Sequence, residues 1–144
     1  MHRPVHRIDD PPATSLASGA VVKAAFVLEA EERIAPGLAA GFQWALRERF
    51  FVDNVNIAKR SVQLAVAEEV GVDVALLEAR LDDGSSLAAL FEDDEARKAL
   101  GVRGSPTYVF DEGRTMLYGN FPFSVLHATT EELLNGLGIG ASGC

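Results

Sequence analysis

The run Gly101-Val102-Arg103-Gly104-Ser105-Pro106-Thr107-Tyr108-Val109-Phe110-Asp111-Glu112-Gly113-Arg114-Thr115-Met116-Leu117-Tyr118 decides how the chain is read. Thr107–Phe110 and Thr115–Tyr118 are rich in β-branched and aromatic residues. Asp111–Arg114 between them has a glycine where a turn needs positive φ, so the pair reads as a β-hairpin. Pro106 stands at the entry to the first strand. Proline removes a ladder bond in a central strand but is tolerated at the first residue. An X-Pro bond is also the one peptide bond that becomes cis at small cost. A cis Ser105–Pro106 bond would turn the preceding N–H and C=O outward, open to a peptide-like ligand; a trans bond would simply start the strand. Neither strand alternates cleanly between polar and apolar residues, which predicts a hairpin covered on both faces.

Upstream of this run the period is helical. Leu16, Ala20, Ala24, Val27 and Leu28 recur at helical spacing after Thr14 or Ser15, either of which can cap. Pro36 suits a first helical turn, and Leu38, Phe42, Ala45, Leu46 and Phe50 form the next stripe, with Trp44 read as core. A third helix, capped by Asp53 or Asn54 and stopped by Gly71, has apolar residues on two faces and is expected to be the most buried. Asp73 caps a fourth helix and Ser85 a fifth, which Gly101 ends. After the hairpin, Thr129 and Glu132 have the spacing of a capping box for a last helix. A short strand is expected at Pro4–Asp9, before Asp9-Asp10-Pro11-Pro12 stops regular structure.

Composition narrows the function. The 144 residues suit about one domain, and a chain this size needs no metal or disulfide staple. Thirteen Lys and Arg against twenty-one Asp and Glu give a net charge of −8, which disfavours nucleic acid and anionic membrane as partners. No apolar stretch approaches the ~20 residues of a membrane span, and residues 1–7 do not resemble a secretory signal. The only cysteine is Cys144, so no disulfide forms within the chain, and a cytoplasmic location is expected. His2, His6 and His127 are scattered without metal-ligand spacing. The acidic pairs read as solvated helix ends. Gly101–Gly104 leads into a strand, whereas a phosphate loop leads out of one.

The Gly-Val-Arg-Gly-Ser-Pro-Thr-Tyr-Val-Phe run and its Asp-Glu-Gly-Arg turn resemble the cis-proline strand and hairpin of DsbA-like thioredoxin-fold oxidoreductases. The Pro11–Leu16 stretch, the Lys23–Ala25 helix, Ala45–Phe51 and the Gly71–Asp73 helix junction resemble that family's all-helical insertion, and the likeness covers roughly residues 4 to 137. FrnE-like proteins and 2-hydroxychromene-2-carboxylate isomerases share this layout. The resemblance implies an α/β, thioredoxin-like fold in a single domain over 1–144, with a large all-helical insertion at about 15–100. The thioredoxin-like remnant is then 4–9 and 102–137: a short N-terminal strand and a C-terminal β-hairpin and helix. It makes Pro106 the cis proline and the Ser105 backbone a substrate-docking edge, so Ser105, Pro106 and Thr107 are the substrate-binding residues and no catalytic residue is assigned.

The family opens with a strand and a helix carrying Cys-x-x-Cys, whose N-terminus lowers the thiol pKa. This sequence has no such motif and is expected to begin at the second strand, a truncated version of the fold. Several functions follow from that. The chain is a non-catalytic or incomplete member that binds a peptide, a protein thiol substrate or a partner chain. Alternatively it is an oxidoreductase whose thiol comes from a partner, from glutathione or from Cys144, a glutathione-dependent isomerase of the hydroxychromene type, or a piece whose missing residues lie upstream of Met1. No metal or resident cofactor is expected, with glutathione entering only through the second and third readings. Loss of the middle strand and its helix would uncover one sheet face, and a homodimer is the expected repair.

Overall fold

The computed structural model describes residues 9–135, and the chain divides into two compact units, residues 1–94 and 95–144. The expected strand at 4–9 lies outside the described residues except for Asp9, as do Leu137 and Cys144.

The first unit is helical. It contains α1 (Leu16–Ala30), α2 (Leu38–Phe51), α3 (Arg60–Val70), α4 (Val74–Asp82) and the start of α5 (Ser85–Ala99), which runs on into the second unit. Helix α1 packs against both α2 and α4, and α2 packs against α3. Two-sided packing requires small residues on a broad stripe, and Val21, Ala24, Ala25 and Leu28, at i, i+3, i+4 and i+7, are all buried. Ala39, Phe42 and Leu46 of α2, Val66 and Ala67 of α3, and Leu77 of α4 complete the core.

Local signals fix most helix ends. Gly71, at φ 85°, donates to the Glu68 carbonyl, and the Val72 N–H reaches the Ala67 carbonyl at 2.9 Å. This pattern satisfies the last carbonyls of α3 and turns Val72 into the core. Asp73 then caps α4, its carboxylate accepting from the Leu76 N–H at 3.0 Å. Helix α2 has no side-chain cap of its own at Gly37; instead Glu29, on α1, accepts from the Ala39 N–H at 2.8 Å.

Two helix starts differ from expectation. Helix α3 begins at Arg60 instead of Asp53 or Asn54. Asn54 takes positive φ and the Asn56 carboxamide oxygen accepts from the Ala58 N–H, so residues 53–59 turn before the helix can start. Helix α3 is also less buried than α1, with Gln63, Val66 and Ala67 buried and its outer face in solvent. Trp44, expected in the core, is 62% exposed, since α2 turns its Phe42–Leu46 face inward.

The second unit holds β1 (Thr107–Phe110), β2 (Thr115–Tyr118) and α6 (Phe123–Leu134). The strands pair antiparallel in the register Thr107↔Tyr118, Tyr108↔Leu117, Val109↔Met116 and Phe110↔Thr115. Among the described residues this two-stranded sheet is the whole sheet. The turn is a 3-10 segment, Asp111–Gly113, with positive φ at Asp111 and Glu112 as well as at Gly113. Strand β2 does alternate, leaving Met116 and Tyr118 exposed, contrary to the expected cover on both faces. Helix α6 starts after Pro122, six residues ahead of Thr129. Thr129 and Thr130 lie inside it and donate to the Val125 and Leu126 carbonyls, both at 2.9 Å, so the expected capping box does not form. No described helix is long and apolar enough to cross a membrane.

Leu77→Ala removes a fully buried side chain and is expected to cost about 2–5 kcal/mol in urea unfolding of the helical unit. Trp44→Ala is expected to stay within about 0.5 kcal/mol. A second expectation concerns acid. The Ser85 hydroxyl and N–H hold the Asp83 carboxyl below the usual carboxylate range. A lowered folded-state pKa gives a contribution present above the unfolded value of about 3.9 and lost as the pH falls through the folded one. The protection factor of the Ser85 amide, which removes the acid slowing of intrinsic exchange, should therefore fall below about pH 4 while that of Leu77 does not.

Candidate functional site

The site is built where α5 hands over to β1. Gly101, at φ 71°, donates to the Lys98 carbonyl at 2.9 Å, and Val102 to the Arg97 carbonyl at 3.0 Å, which ends the helix in a glycine-capped turn. Arg97 reaches forward, its guanidinium donating to the Val102 carbonyl at 2.7 Å. The exit from the helix is thus tied at two points before the chain reaches Gly104.

Across the strand entry, the Thr107 hydroxyl donates to the Gly104 carbonyl at 2.6 Å, spanning Ser105 and Pro106. The Gly119 N–H donates to the Pro106 carbonyl at 3.0 Å, which continues the hairpin ladder one step past Thr107. The Ser105–Pro106 peptide bond is cis. Ser105 is exposed, while Pro106 and Thr107 are half-buried. Tyr118 lies over Gly104: a β-carbon added there would sit 2.8 Å from the Tyr118 hydroxyl oxygen and 2.9 Å from a ring carbon. Glycine is needed at 104 because that ring occupies the space.

The register decides which backbone groups are free to dock. Hydrogen-bonded and non-bonded pairs alternate along an antiparallel ladder. Pro106 bonds to Gly119, so Tyr108 and Phe110 face β2, and the N–H and C=O of Thr107 and Val109 point away from it. No further strand pairs with that edge among the described residues. Beside it, Gly101, Val102, Arg103, Thr107, Met116 and Tyr118 line an open groove of about 700 Å3. Arg103 has no ion pair or hydrogen bond among the described residues.

The groove lining contains no thiol, imidazole or carboxylate. What the groove and the strand edge offer is main-chain donors and acceptors, an apolar floor from Met116 and Tyr118, and one cation, Arg103. Of the three residues the sequence singled out, Thr107 lines the groove, while Ser105 and Pro106 precede it on the chain and are not part of the lining. Sequence reasoning missed Tyr118 and Arg97. The signal for Tyr118 lay in the hairpin register, which sets it against Thr107 and so close to Gly104, a residue without a side chain. Arg97 gave no signal, since an arginine in a last helical turn is ordinary. Among the described residues no cluster of His, Cys, Asp and Glu could hold a metal.

A proline-entered strand, a hairpin and a large preceding helical region define a mixed α/β domain of the thioredoxin class. The DsbA-like thioredoxin domain family matches residues 10–130, and the chain belongs to that family. It is similar to the ClpXP adapter protein SpxH of Shouchella clausii, 30% identical over 125 residues, which cover 83% of this chain and 42% of the relative. It is also similar to the ClpXP adapter protein SpxH of Halalkalibacterium halodurans, 26% identical over 132 residues, covering 88% of this chain and 41% of the relative. The chain therefore spans about two fifths of the length of these curated relatives.

The Tyr118–Gly104 contact can be checked by a double-mutant cycle. Gly104→Ala is expected to displace the Tyr118 ring and to destabilise the hairpin by about 1 kcal/mol. In a Tyr118→Ala background the same substitution should be close to neutral, as coupling between touching residues requires.

Proposed function

We propose that this chain is a protein-binding member of the DsbA-like family that holds an extended segment of a partner along the edge of β1 that no described strand pairs, in an adapter role. The observation that carries this reading is the pair of outward N–H and C=O sets at Thr107 and Val109, beside a groove without redox or acid–base groups. Strand addition supplies main-chain bonds for affinity and pockets for specificity, which suits an adapter that must grip an unfolded or extended stretch. That the similar SpxH proteins are named ClpXP adapters supports a role in presenting a protein to partners. A cytoplasmic setting belongs to this proposal. A second copy of the chain is the competing occupant of the edge, favoured by the exposure of Met116 and Tyr118.

Three measurements test the reading. Insulin reduction with dithiothreitol should run at the blank rate; a clear excess that disappears in Cys144→Ser would show a thiol enzyme instead. Purified ClpX, the first partner to try, should bind the immobilised chain saturably. Val109→Pro deletes an outward N–H without touching the β2 ladder, and it should weaken that binding at least tenfold at an unchanged melting midpoint. Light scattering behind a sizing column separates the competing occupant: a dimer that Val109→Pro splits would assign the edge to a second copy.

A further inference from the structure

The helical unit contains a cavity to which the proposed function assigns no role. It is about 500 Å3 in volume and is set between one face of α1 and one face of α2, with the 53–59 loop closing one side. Val22, Leu46, Phe50 and Ile57 make its apolar wall, and Phe51 stacks edge-on against Phe50 with ring centroids 4.9 Å apart. A volume of this order lies within the ~300–1,000 Å3 range of small-molecule sites.

Its polar groups are one-sided. The lining includes Gln43, Arg47 and the hydroxyls of Thr14, Ser15 and Ser18, and no Asp or Glu, in a chain that has twenty-one acids. Three other arginines of the unit are paired with acids: Arg49 with Asp53 and Glu69, Arg60 with Asp82, and Arg80 with Glu31. Arg47 lines the cavity with no ion pair or hydrogen bond among the described residues. A lone guanidinium beside a carboxamide, over an apolar wall, complements a ligand with one anionic head and an apolar body.

We propose that this cavity binds a small amphipathic carboxylate, the carboxylate meeting Arg47 and Gln43 and the apolar body lying against Val22, Leu46, Phe50 and Ile57. The site is independent of the β1 edge, so neither proposal depends on the other.

The probe is decanoate, below its micelle concentration, titrated into the full chain by calorimetry and by 15N and methyl NMR. Saturable one-to-one binding is expected, with shifts centred on Val22, Gln43, Leu46, Arg47 and Ile57. Arg47→Gln should weaken binding at least tenfold with an unchanged melting midpoint, and decyltrimethylammonium should bind at least tenfold more weakly than decanoate. Ser18→Phe, which fills the cavity, should abolish binding. If that variant fails to fold, the wild-type shift map decides alone. Three results overturn the proposal: no saturable binding at millimolar decanoate, shifts centred elsewhere in the chain, or equal binding of the cationic probe. The first would leave the cavity as a seat for a protein segment, and the last would make it a nonselective apolar surface.

Discussion

The helical unit depends on the burial of α1 from two sides. Ala24 and Ala25 are fully buried and small enough to let α2 and α4 approach the same helix, while Val21 and Leu28 fill the space above and below. A larger side chain at either alanine would push one neighbour away, since a packed core does not absorb added volume without strain. Both flanking contacts converge on this one stripe, and Phe42, Leu46 and Leu77 are buried as a consequence. Even the start of α2 depends on α1, through the Glu29 carboxylate on the Ala39 N–H.

Charge has a smaller part in holding the fold. The ion pairs of Lys23 with Asp93, Arg60 with Asp82 and Arg49 with Glu69 join exposed or half-exposed side chains. Pairs of that kind contribute between nothing and about 1 kcal/mol each. They keep an acidic protein from placing its acids next to one another without compensation. Arg47 at the cavity of the helical unit and Arg103 at the groove beside β1 have, by contrast, no such partner among the described residues.

The candidate docking edge is made of main chain, and that has consequences for a member of the DsbA-like family. Side-chain chemistry can be lost or exchanged between relatives while an outward-facing strand edge persists, because the edge depends only on register. Here the register is set by the hairpin turn and by the Pro106 carbonyl accepting from Gly119. Recognition of an extended partner therefore needs no thiol.

The residues that announce themselves locally were legible in the sequence. Gly71 and Gly101 as helix stops, Asp73 as a cap, the two strands and their turn, and the contiguous Ser105–Thr107 entry are all encoded within a few residues of backbone preference. The start of α3 was not legible, because Asn54 and Asn56 bond to backbone groups in a local turn that competes with capping. Nor was the mid-helix place of Thr129, where a side chain able to cap instead bonds back to the preceding turn. Trp44 on the surface, α1 as the most buried helix, Tyr118 over Gly104 and the cavity between α1 and α2 were decided by tertiary structure alone. An amphipathic pattern says that a face will be buried, but which face wins, and how much room is left, depends on partners far away in the chain.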